Sequence, residues 1–113
     1  MGVNMKSIAE LQVEVHENAK AHGWWENPRT IGELLMLITS EVTEAFVEVR
    51  NGHEVNETYY KDGKMEGVPS ELADIVIRVM DLCEYYGIDL ESAIVEKHRY
   101  NLARPYKHGG KKL

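Results

Sequence analysis

The sequence predicts an all-α protein, a four-helix bundle-like fold carrying one small hairpin-like insertion. Four stretches repeat apolar residues at helical spacing, and each opens on a capping residue or a proline and closes on a helix breaker. One segment, residues 52–68, differs from the rest in being polar and glycine-containing. The 113 residues make a single domain, 1–113, with no internal repeat and no low-complexity tract. A domain of this size buries only part of its apolar surface, so help from a partner subunit is expected.

The first helix is expected over about 7–22. Ser7 and Glu10 have the spacing of a capping box, Ile8, Leu11, Val15 and Ala19 form the apolar stripe, and Gly23 terminates it. A loop through Trp24, Trp25 and Pro28 leads to a second capping box, Thr30 with Glu33. The second helix, about 30–51, carries Ile31, Leu34, Leu35, Ile38, Val42, Ala45, Phe46 and Val49 as one broad apolar stripe. Within 52–68, Asp62-Gly63 between Thr58-Tyr59-Tyr60 and Lys64-Met65 predicts a β-hairpin. Pro69 suits the first turn of a third helix, about 69–86, and Asp89 caps a fourth, about 89–103, which ends before Pro105. The tail, 106–113, is expected to be flexible from its composition. The pattern as a whole reads as a compact bundle.

Bulk properties narrow the function. With 43% hydrophobic and 28% charged residues, the chain has the composition of a soluble globular protein, and no apolar run approaches the length of a membrane span. The start, MGVNMKSIAE, lacks the basic, apolar and small-residue regions of a secretory signal, so a cytoplasmic location is expected. Cys83 lies in an apolar helical pattern and reads as a small buried hydrophobe. A net charge of −6 argues against binding duplex nucleic acid, which rests on surplus surface Lys and Arg. A small anionic ligand remains compatible if a bound cation reverses the local field.

The acids supply a place for that cation. At about 100° per residue, Glu41, Glu44 and Glu48 share a sector roughly 60° wide beside the apolar stripe of the second helix. Glu71 and Asp74 lie one turn apart on the third helix, with Glu71 bordering its stripe. Packed together, the two helices would gather like charges at the edge of a core, and a hard divalent ion bound by carboxylate oxygens compensates them. Mg²⁺ suits such a set. The alternative is an ordinary solvated acidic face, and Arg78, one turn beyond Asp74, could pair with it. The Glu-x-x-His motif of di-iron bundles and the HExxH motif of zinc enzymes are absent.

On the fourth helix Leu90, Ile94, Lys97, Asn101 and Arg104 share a face that begins apolar and turns cationic. Its second half is expected to look onto anions, either the acids or a ligand's phosphates; cations at a helix C-terminus are the alternative. A loop tryptophan such as Trp24 or Trp25 serves as a packing anchor or as a stacking surface for a base. The five histidines show no metal-ligand spacing and read as surface residues or helix-end partners.

The pattern E-x-x-E followed by E-x-x-D, as Glu41, Glu44, Glu71 and Asp74, resembles that of the MazG-like all-α nucleoside triphosphate pyrophosphohydrolases, relatives of the dCTP pyrophosphatases and dimeric dUTPases. The segments GWWENPRTIGELLMLITSEVTEAFVEVRNG, EGVPSELADIVIRVMD and EKHRYNLARPYKHGGKKL extend the resemblance over about residues 8–110. It implies Mg²⁺, with Mn²⁺ as a substitute, held by Glu41, Glu44, Glu71 and Asp74. It also implies hydrolysis of an NTP or dNTP to the monophosphate and pyrophosphate, and a homodimer or homotetramer. Lys97, Asn101, Arg104 and Tyr106 would hold phosphates or sugar, and Trp25 would stack on the base. Glu48, on the face of Glu41 and Glu44 but outside the matched motif, is a candidate supporting ligand or water-orienting base. A phosphoribosyl-ATP pyrophosphatase and a non-catalytic helical interaction module are the alternative readings.

Overall fold

The computed structural model describes residues 5–106; the expected tail beyond Tyr106 lies outside these residues. The described residues form four helices, α1 (Ile8–Ala21), α2 (Ile31–Arg50), α3 (Val68–Tyr85) and α4 (Leu90–Leu102), with one antiparallel hairpin inserted in the chain between α2 and α3, formed by β1 (Tyr59–Lys61) and β2 (Lys64–Glu66). The all-α class with a hairpin insertion is therefore present, each helix within about two residues of its expected bounds.

Local chemistry explains the ends. Ser7 Oγ accepts from the Glu10 amide at 3.1 Å while Glu10 Oε1 accepts from the Ser7 amide at 2.9 Å, which completes the first capping box. Only half of the second one forms. Thr30 Oγ1 accepts from the Glu33 amide, but the Glu33 carboxylate accepts from Arg29 Nη1 at 2.9 Å instead of reaching back. In the hairpin, Asp62 and Gly63 take positive φ, 53° and 80°, as a two-residue type I′ turn requires, and the register pairs Tyr59 with Glu66. Gly67 leads directly from β2 into α3 at φ 109°, where a Cβ would run into the carbonyl oxygen of Glu57.

α3 is the central element. It packs on α1 and on α2, whereas α4 leans mainly on α1. The core is small: Leu34, Leu82 and Cys83 are buried, with Trp25, Ile38, Val79 and Leu90 around them. Cys83 is a buried free thiol, as its apolar setting predicts, and burial raises its pKa.

Two expectations need correction. The inward face of α1 is not the Ile8, Leu11, Val15, Ala19 stripe alone: Gln12 and His16 are its buried residues, and Leu11 is exposed. Both polar side chains are satisfied across the α1/α3 interface, Gln12 Nε2 donating to Glu84 Oε1 at 3.0 Å and to the Ile88 carbonyl at 2.9 Å, and His16 bonding Asp81. His16 is thus neither a surface residue nor a helix-end partner. The second correction concerns compactness. The radius of gyration is 16.8 Å, against about 13 Å for a close-packed domain of this length. Of the α2 stripe only Leu34 is buried, while Leu35, Val42, Phe46 and Val49 are about half exposed. A 20-residue helix packed on one neighbour cannot cover so wide an apolar band. No helix among the described residues is long and apolar enough to cross a membrane.

Candidate metal centre

The packing of α2 on α3 brings Glu41, Glu71 and Asp74 together, each offering a carboxylate oxygen within 4.8 Å of the others. Glu71 and Asp74 are one turn apart near the start of α3, and Glu41 reaches them from α2. A second group, Glu48, Glu66 and Glu71, meets the same distance, so Glu71 belongs to both. Glu48 lies two turns beyond Glu41 on one face of α2; Glu66 comes from the last position of β2. The side chains of Glu41 and Glu48 are only 13% and 14% exposed, so these acids have lost most of their water.

The electrostatic consequence falls on Glu71. Its carboxyl is pushed up to about 7, first by desolvation, then by the charges of Asp74 and Glu41, a hydrogen bond with Glu41 and the charge of Glu44. Asp74 is raised by burial and by Glu41, and Arg78 and Lys64 oppose this. The donor set consists of carboxylate oxygens that repel one another and keep partial access to water, which is the chemistry that Mg²⁺ or Mn²⁺ takes and that soft-metal sites lack.

Of the four acids in the sequence pattern, three converge. Glu44 is exposed and belongs to neither group, although its charge reaches Glu71. Arg78 pairs with Glu41, Nε to Oε1 at 2.8 Å, while only its field acts on Asp74. Glu48 is engaged by the hairpin: Tyr59 Oη donates to both of its oxygens, at 2.9 and 3.1 Å. That bond is the main reason the Tyr59 phenol is pushed up to about 12 and remains a donor.

Beside the acids lies a cleft of about 370 Å³ that shares Glu41, Asp74 and Arg78 with them. Val15 and Ile77 give it apolar wall, Trp24 an aromatic surface, and Asn18, His22 and Asp81 polar groups. The Trp24 ring carries the guanidinium groups of Arg29 and Arg78 at 4.1 and 4.8 Å from its centroid. Trp25 does not line this cleft. Its ring stacks on Tyr85 at 4.1 Å and 6°, and Nε1 donates to Asp81 at 3.0 and 3.2 Å. Asp81 also bonds His16 Nδ1 at 2.7 Å, so Trp25 is an anchor of a buried polar network and Trp24 is the indole that faces the cleft.

The cationic half of α4 does not join the acids. Lys97 and Asn101 line a separate groove with Ala93, Ile94 and His98, while Lys97 and Arg104 lie 5.2 and 5.6 Å from the Tyr100 ring centroid. Tyr106 is 87% exposed at the edge of the described residues.

Sequence spacing alone missed Glu66, Tyr59, His53, Asp81 and His16. The first two were accessible from the hairpin register, because an Asp-Gly turn at 62–63 sets Tyr59 opposite Glu66. Helical spacing carries no such signal for the pairing of His16 with Asp81. No protein-family model matches the chain, and no curated protein or solved structure matches it either.

Proposed function

We propose that this chain is a Mg²⁺-dependent nucleoside triphosphate pyrophosphohydrolase of the MazG-like kind, releasing the monophosphate and pyrophosphate. The observation that carries the reading is the convergence of Glu41, Glu71 and Asp74 from two helices beside a cleft of about 370 Å³, with the Glu71 carboxyl pushed to about 7. These three acids hold the cation, and the exposed Glu44 adds negative field at the rim. When bound, Mg²⁺ neutralises phosphate charge and acidifies water. Glu48, which meets Glu71 in the second carboxylate group, is a supporting ligand of the same ion and orients the attacking water. Trp24, with Arg29 and Arg78 against its ring, borders the cleft beside the base in place of the stacking that the resemblance assigned to Trp25; the packing of Trp25 on Tyr85 supports the exchange. Mn²⁺ replaces Mg²⁺.

The phosphate and sugar contacts expected from Lys97, Asn101, Arg104 and Tyr106 come in this reading from a second copy of the chain, in a homodimer or homotetramer. The half-exposed apolar side chains of α2, α3 and α4, among them Phe46, Val76 and Ile94, support such an assembly. The protein works in the cytoplasm on a small nucleotide. Incubation with every NTP and dNTP plus Mg²⁺, followed by separate measurement of pyrophosphate and orthophosphate, tests the reading. The expected products are the monophosphate and pyrophosphate without orthophosphate, with diphosphates as poor substrates. Stepwise orthophosphate release refutes it, and turnover of phosphoribosyl-ATP alone assigns the related activity.

A further inference from the structure

The 52–68 insertion makes its closest polar contacts at the metal centre. Tyr59, on β1, donates from one hydroxyl to both oxygens of Glu48. His53 stacks on the Tyr59 ring at 4.5 Å and 15°, places Nε2 3.6 Å from Glu48 Oε2, and is itself held through Nδ1 by Glu57 Oε1 at 3.2 Å. The register that delivers the phenol also delivers Glu66, its strand partner, to the group formed with Glu48 and Glu71. A glutamate on an open helix face samples several rotamers, and ordering such a side chain costs about 1–2 kcal/mol. Here the hydroxyl of Tyr59 has already ordered Glu48.

We propose that the hairpin is a positioning element for the metal centre: Tyr59, steadied by His53, holds the Glu48 carboxylate facing Glu71, so that the site is organised before the cation arrives. The inference rests on the Mg²⁺ reading above and assigns Tyr59 and His53 no contact with substrate. Partners that orient a metal's carboxylate or imidazole ligands typically contribute 10–100-fold to metal affinity, which sets the size of the effect.

Tyr59→Phe keeps the ring on His53 and removes only the hydroxyl. With the full chain and Mn²⁺ alone as the probe, free Mn²⁺ measured by electron paramagnetic resonance gives the affinity without nucleotide. The expected result is a Kd raised about ten-fold or more, with an unchanged cooperative melt in chelator. Tyr60→Phe, an exposed hydroxyl deletion on the same strand, should bind as wild type. In turnover, the Mg²⁺ concentration for half-maximal rate should rise in parallel while the nucleotide KM at saturating Mg²⁺ stays constant. His53→Phe, which keeps a ring against Tyr59, should shift Mn²⁺ affinity in the same direction, and it decides the matter if Tyr59→Phe does not fold. Wild-type Mn²⁺ affinity in Tyr59→Phe, or in a folded His53→Phe when the first variant is unfolded, overturns the positioning role. A wild-type chain that binds Mn²⁺ but hydrolyses no nucleotide overturns the proposed activity alone, with the Mn²⁺ shift still deciding the hairpin's part. A chain that binds no Mn²⁺ overturns both.

Discussion

Replacing Glu71 by Gln should stabilise the metal-free protein at alkaline pH and do nothing for it in acid. Glu71 sits where both acid groups meet, and its carboxyl is pushed from 4.5 to about 7 by desolvation and by its acidic neighbours. The native state therefore binds more protons than the unfolded chain between these values. That proton's contribution is fully present below the unfolded value of 4.5 and is lost as pH rises through about 7. A shift of this size corresponds to a ceiling of about 3 kcal/mol, and screening at a half-buried site reduces it to about 1 kcal/mol. Gln keeps the shape and removes the charge, so at pH 8 in chelator Glu71→Gln should melt about 4 °C above wild type, with no difference near pH 5. Glu41→Gln is the contrast. It also relieves the cluster but gives up the 2.8 Å pair with Arg78, so it should melt no higher than wild type. Paired thermal melts in chelator at the two pH values are sufficient. Equal melting of Glu71→Gln and wild type at pH 8 would refute the crowding of charge at Glu71.

Three further outcomes follow from the same structure. Mg²⁺ should raise the wild-type melting temperature more at pH 8 than at pH 5.5, because protons compete for Glu71, and at a hundred times its Kd it should add about 2.7 kcal/mol; a pH-independent shift in calorimetry would contradict this. Asp81→Ala removes the acceptor shared by His16 and Trp25 and should cost about 3 kcal/mol in urea unfolding, whereas a loss under 0.5 kcal/mol would mean that the network is slack. Phe46→Glu places a charge on the exposed α2 face, and light scattering should show a smaller particle than wild type at equal concentration; an unchanged mass would remove this face from the assembly.

What was legible in the sequence was local. Capping residues, the Asp-Gly turn and Pro69 mark the elements because each acts within a few residues of itself, and the acids of α2 and α3 were recognisable because helical spacing places them beside apolar stripes. What was not legible was chosen by tertiary partners. Gln12 and His16 turn inward because α3 offers them Glu84, the Ile88 carbonyl and Asp81, a match no single-helix pattern contains. The same holds at the site. Arg78 takes Glu41 across the helix pair and not Asp74 one turn away, and Trp25 spends its ring on Tyr85, leaving Trp24 to face the cleft. Glu44 shares a helix face with Glu41 and Glu48 yet stays outside both carboxylate groups, since spacing fixes a direction and not a distance to the partner helix.

The proposed role of the acids joined by α2 and α3 is to hold the cation on which pyrophosphate release depends. Its most direct test is the rate of pyrophosphate release as a function of free Mg²⁺, measured with the preferred nucleotide for wild type and for Asp74→Asn, whose carboxylate stands with Glu41 and Glu71. The wild-type rate should saturate with Mg²⁺ and vanish in chelator, and the variant should be slower by orders of magnitude or displaced to much higher Mg²⁺. A wild-type rate indifferent to chelation, or an Asp74→Asn curve superimposed on wild type, would contradict it.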